Sequence, residues 1–277
     1  MTLPIAQLLL AAMGALSVGA RTETRAPEAP QLVVVHAKDF AFTMPKTMKS
    51  GATTFRLVNE GKALHHVSLV RLQKGKTMAD FMAFLKKPGP PFGWFTEVGG
   101  PNPAVPGGTV EASMNLEPGD YVALCFIPSV GESAPHAMKG MVSAFTVTAD
   151  KAAGSVPTAD ITLKTTDYAF GLSTPITKGH HVIAVQNDAA QAHEVVVVQL
   201  APGKTIADVA KWVDKDLMKG DPPGKPIGGM AGIAKGQSAT FPMDFAPGNY
   251  GIICFAPDAK DGKPHSQHGM TQAFTVK

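Results

Sequence analysis

Cys125 and Cys254 are the only cysteines in a chain of 277 residues, and each opens the same spaced set. His136 follows Cys125 after eleven positions and Met141 comes five later; His265 and Met270 follow Cys254 at the same spacing. A further histidine stands upstream of each cysteine, His65 for the first and His193 for the second. The donor set is one thiolate, two imidazoles and one thioether. Copper suits it: Cys and two His form a trigonal plane, with a soft, weak Met on the axis. Zinc prefers four stronger ligands, and thioether is a poor one for it.

The set recurs because the chain is written twice. Residues 57–85 match 185–213 at an offset of 128, placing Asn59 on Asn187, His65 on His193 and Asp80 on Asp208. "LEPGDYVALCF" (116–126) matches "FAPGNYGIICF" (245–255) at an offset of 129, and "PHAMKGMVSAFTV" matches "PHSQHGMTQAFTV" at that same offset. The repeat selects among neighbours. His65 has a histidine partner, whereas His66 aligns with Glu194. Adjacent strand residues face opposite ways, which predicts His66 on the solvent face. His268 aligns with Lys139 and Met138 with Gln267, so neither is favoured as a ligand. His36, His180 and His181 have no matched partner and are expected on the surface.

The elements that position these residues read as mostly β. Strand patterns run over Leu32–His36, Thr53–Asn59, His65–Val70, Thr109–Leu116, Tyr121–Phe126 and Val142–Val147. Pro-Gly turns lead into the strands that carry each cysteine. One helix interrupts each copy. Thr77 with Asp80, and Thr205 with Asp208, have capping-box spacing. Met78, Phe81, Met82 and Leu85 form an apolar stripe, and Trp212 is expected to face the core of the second copy. Short strands with regular turn signals predict β-sandwiches. The expected domains are 31–148 and 159–277, joined by a small, polar linker.

The balance of 25 basic and 22 acidic residues gives +3, too little to imply a nucleic-acid partner. Residues 1–20 carry an apolar run, Ile5–Leu16, followed by the small residues Val18-Gly19-Ala20. This predicts a cleaved signal peptide, a periplasmic or secreted protein, and no membrane span after removal. Two cysteines in an exported chain raise the disulfide alternative. A bridge between Cys125 and Cys254 would have to tie two separate repeats together, so one metal site in each is preferred. No Ser/His/Asp order, paired carboxylates or P-loop stands out; the "GKT" segments at 75–77 and 203–205 lack the upstream glycine.

A strand-end Cys, a loop His, then "GM" leading to a last strand resembles the cupredoxins, the blue copper proteins. "NEGKALH" (59–65) is similar to the segment that carries their first histidine. The resemblance covers nearly all of both repeats. It implies two tandem Greek-key β-sandwiches, one-electron transfer with a redox partner protein, and copper held by His65, Cys125, His136 and Met141 and by His193, Cys254, His265 and Met270. Copper delivery without a redox task and a metal-free interaction module are the alternatives. Two departures stand out: the ten residues between Cys and His, and the inserted helix. The residues flanking each cysteine are Leu124, Phe126, Ile253 and Phe255, and there are no His-x-His pairs. This predicts a carrier rather than an oxidase, with at most two coppers per chain.

Overall fold

The computed structural model describes residues 28–87 and 93–277. The expected signal segment lies outside the described residues. In the first half the strands are β1 (Gln31–Lys38), β2 (Ala41–Thr43), β3 (Thr47–Asn59), β4 (Ser68–Leu72), β5 (Phe95–Gly99), β6 (Thr109–Leu116), β7 (Gly119–Leu124) and β8 (Val142–Lys151). The second half repeats them as β9 (Ile161–Thr166), β10 (Ala169–Leu172), β11 (Gly179–Asn187), β12 (His193–Leu200), β13 (Gly224–Ile233), β14 (Ser238–Phe245), β15 (Gly248–Ile253) and β16 (Thr271–Val276). One helix follows the fourth strand of each half: α1 (Met78–Lys86) and α2 (Ile206–Asp214).

Each half is a two-layer β-sandwich. In the first, β2-β1-β3-β6 faces β8-β7-β4-β5. Strand β3 belongs to both layers: Thr47–Ser50 pair with β8, and Gly51 onward pair with β6. The bend falls at Gly51, whose φ of 100° suits glycine. In the second half β10-β9-β11-β14 faces β16-β15-β12-β13. Alternation along the strands sets the core, with Val33, Val35 and Ala37 of β1 and Ile161 and Leu163 of β9 pointing inward.

The turns before the cysteine strands are closed by tyrosines. Tyr121 donates its hydroxyl to the Glu117 carbonyl and stacks on Phe145; Tyr250 does the same with Ala246 and Phe274. The helices carry the predicted capping boxes at Thr77–Asp80 and Thr205–Asp208. Phe81 packs on the outer face of β4 and β7, and Ile206 and Val209 on that of β12 and β15, so these central strands are covered on both sides. Trp212 departs from expectation: it is partly exposed and donates its indole N–H to the Lys219 carbonyl.

The halves join edge to edge. Strand β6 pairs antiparallel with β14, Ser113 opposite Thr240, and β5 with β13, Val98 opposite Ile233. By the sequence repeat, β14 is the second-half counterpart of β6, and β13 of β5. Each edge strand therefore meets its own counterpart, as a two-fold axis would arrange. Both layers continue across the boundary and one apolar core spans it. Gly100 (φ 137°) and its counterpart Gly229 (φ 142°) sit at this seam, where an added Cβ would lie 1.9 Å from the Val67 and Val195 carbonyl oxygens.

Candidate metal centres

The upstream histidines are placed by a buried asparagine. Asn59 donates to the Ala63 and Ala104 carbonyls and accepts from the Gly61 N–H, filling its amide. Asn187 does the same with Gln191, Ile233 and Ala189. The loop that follows delivers His65, which exchanges backbone hydrogen bonds with Ala104. His65 Nε2 lies 2.6 Å from Asp39 Oδ1, and His193 Nε2 lies 3.2 Å from Asp167 Oδ1. An imidazole tied at Nε2 by a carboxylate is held in one orientation, with Nδ1 left to face the cysteine.

Each cysteine directly follows a strand, and the ten-residue excursion after it is compact. Pro128 bridges Pro135, and Pro257 bridges Pro264. His136 and His265 then open short 3₁₀ turns, closed by Gly140 and Gly269 in left-handed conformation. The reversal returns the chain to the cysteine: Cys125 N–H donates to the Met141 carbonyl, and Cys254 N–H to that of Met270. Five residues from His to Met is thus one turn with a glycine stop.

The outcome is two enclosed clusters. His65, Cys125 and His136 present ligand atoms within 4.8 Å of one another, as do His193, Cys254 and His265. Cys125 Sγ lies 3.6 Å from His136 Nδ1; Cys254 Sγ lies 3.6 Å from His265 Nδ1 and 3.9 Å from His193 Nδ1. All six, with Met141 and Met270, are fully buried, whereas Met138 is 39% exposed. The cysteines are unpaired with each other.

The electrostatics fit a cation. Burial pushes the Cys125 thiol up to about 12 and the Cys254 thiol higher still. Burial holds His65 and His193 below the ordinary histidine range despite their aspartates, and lowers His136 to about 4, with His65 adding to the effect. Neutral imidazoles and a thiol clustered in an apolar interior leave His65 Nδ1 and His265 Nε2 without hydrogen-bond partners. A bound cation would supply a partner for Nδ1 and make the buried thiolate favourable. The Glu194 N–H points at Cys254 Sγ at 3.4 Å and would support that thiolate further.

His66 corrects the alternation argument. It is buried, not on the solvent face, because regular strand begins only at Ser68 and strict alternation does not hold at His65–His66. Its Nδ1 meets Asn102 Oδ1 and its Nε2 accepts from the Phe126 N–H. His36, His180 and His268 lie outside the clusters, paired with Glu60, Asp244 and Asp261. His181 is more covered than expected, its side chain 12% exposed and held by Asp160. Sequence reasoning missed Asp39 and Asp167. Their signal was present: "DFAF" at 39–42 and "DYAF" at 167–170 stand at the repeat offset. It also missed Asp258, buried and accepting from the Tyr168 hydroxyl, Gln191 and the Lys260 N–H. Its Oδ2 lies 3.8 Å from His265 Nε2; the first-half counterpart, Ser129, has Oγ 3.2 Å from His136 Nε2.

The layout of each half is cupredoxin-like. Among solved structures the chain is similar to a reduced auracyanin from Roseiflexus castenholzii, at 22% identity over 42% of this chain and 94% of that one, TM-score 0.31. A copper nitrite reductase from Nitrosomonas europaea matches at 14% identity over 89% of this chain and 93% of that one, TM-score 0.25. A blue copper oxidase from the same organism matches at 14% over 89% and 85%, TM-score 0.24. No family model matches the chain, and no curated protein does. At these identities and scores the likeness decides nothing about the site.

Proposed function

We propose that the chain is an exported, two-domain copper protein that carries single electrons. His65, Cys125, His136 and Met141 would hold one copper, and His193, Cys254, His265 and Met270 a second. When bound, copper supplies a one-electron couple between Cu(I) and Cu(II). The domains would be 31–148 and 159–277, the leader residues 1–20, and the setting periplasmic or secreted. The observation that carries the reading is the duplicated, fully buried His–Cys–His cluster with its imidazoles oriented by carboxylates. A metal-free module has no use for a buried, partnerless His65 Nδ1. The chain's own residues fix the donors, exclude water and keep them in place through the change of charge. The apolar neighbours Leu124, Phe126, Ile253 and Phe255 offer no nitrogen for a second type of centre, which favours a carrier over a catalyst.

The test is the visible spectrum of the oxidised, copper-loaded protein with metal counted per chain. A strong sulfur-to-copper band and two coppers are expected. Cys125→Ala and Cys254→Ala are each expected to remove one copper and its share of the band. A colourless protein without tightly held copper overturns the reading.

A further inference from the structure

An unbroken run of hydrogen bonds joins the two clusters. Phe126, the residue after Cys125, donates its backbone N–H to His66 Nε2 at 2.8 Å. The ring proton therefore sits on Nδ1, which donates to Asn102 Oδ1 at 2.9 Å. Asn102 Nδ2 donates to Glu194 Oε2 in the other half at 3.0 Å. Glu194 Oε1 accepts the backbone N–H of Phe255, the residue after Cys254, at 3.0 Å. Donors run from Phe126 through His66 and Asn102 to Glu194, and Phe255 donates to Glu194 from the far end, so every donor meets an acceptor.

The placement of this run is informative. His66 and Glu194 occupy the same position in the two repeats, and each reaches the amide that follows its own half's cysteine. Asn102, buried at the seam, closes the gap between them. Buried polar side chains cost desolvation, and strand pairing with a shared apolar core already joins the halves. A latch would need only the central contact. Here both ends stop one peptide bond from a cysteine.

We propose that Phe126, His66, Asn102, Glu194 and Phe255 form an electron relay between the two centres, an inference that rests on the copper reading above. With copper held in both halves, the run would carry one electron from the reduced centre to the oxidised one. No bond forms or breaks, and every proton of the run stays on its own atom. The protein then works as a paired store in which an electron received at either face is available at both.

The test uses the full chain. Asn102→Leu removes the central links at similar volume, and His66→Phe removes the two at the first end. Copper content and both charge-transfer bands are recorded first. A photochemical one-electron reductant is then given in substoichiometric amount, in a Met270→Gln background that displaces the second centre's band. Redistribution of the electron between the bands is expected to slow on the order of tenfold in Asn102→Leu. His66→Phe is expected to slow it equally, and the double variant no further, because a series path is broken only once. In the metal-free protein, Asn102→Leu is expected to shift the amide resonances of both Phe126 and Phe255. Unchanged redistribution rates with two intact bands overturn the relay while leaving the copper reading standing. Loss of both bands in the parent protein overturns both.

Discussion

Asp39 grips His65 by the ring nitrogen that leaves Nδ1 free, at 2.6 Å, from a segment twenty-six residues upstream. The hydrogen bond orients the ring and raises its basicity. Asp39→Asn is expected to weaken copper binding at the first centre by roughly 10–100-fold, and Asp167→Asn to do the same at the second. Competition with a chelator of known affinity, followed at the charge-transfer band, measures both. Equal affinity in parent and variants would remove the orienting role.

The two centres are expected to differ in reduction potential. Lys139 approaches the first, donating to Ser129 Oγ, while the Asp258 carboxylate stands near His265 in the second. Hydrogen bonds from Tyr168 and Gln191 hold Asp258 below the usual carboxylate range, keeping it ionised. A nearby negative charge favours Cu(II), so the second potential is expected to be the lower. Asp258→Asn is expected to raise it, and Ser129→Asp to lower the first, each by about 59 mV, a tenfold change in a one-electron equilibrium. Spectroelectrochemical titration reads both.

Glu97 gives a stability signature at the seam. Burial raises its carboxyl to about 7. Between the ordinary carboxylate range and pH 7 the folded state holds a proton that the unfolded chain has lost, so stability falls as pH rises through this window. Glu97 is partly exposed, and water relieves part of the cost. Glu97→Gln is expected to stabilise by about 1–2 kcal/mol at pH 8 and by nothing at pH 4. Urea unfolding at the two pH values checks the sign; a gain at pH 4 would contradict it.

Gly229 and Gly100 test the seam itself. Alanine at either would need a disfavoured positive φ and would drive Cβ into a backbone carbonyl. Gly229→Ala is expected to cost more than about 3 kcal/mol or to abolish the cooperative transition in urea. Gly203, also at positive φ but with open space around its Cβ position, is the control, expected to lose only the strain.

The fold was legible because local and repeated signals agreed: Pro-Gly turns before Tyr121 and Tyr250, capping boxes at Thr77 and Thr205, and the same strand spacing twice. The grouping of His, Cys and His was legible for the same reason. His66 was misplaced because period-two reasoning assumes regular strand, and this residue precedes it. Asp39, Asp167 and Asp258 were missed because an aspartate in a loop reads as solvated until the fold shows what it faces. Asn102 has no counterpart in the repeat, since residue 231 is alanine, so comparing the copies could not expose it.

The meeting of each edge strand with its own counterpart is the contact that two identical subunits would make. Subunits of a true homodimer must carry the same residue on both sides of the axis. Joining them in one polypeptide lifts that restriction. His66 and Glu194 show what the freedom permits. Two histidines or two glutamates facing Asn102 could not satisfy it in the same directed sense, whereas one of each can. Covalent fusion thus gives the molecule a polarity that its symmetric architecture would otherwise forbid.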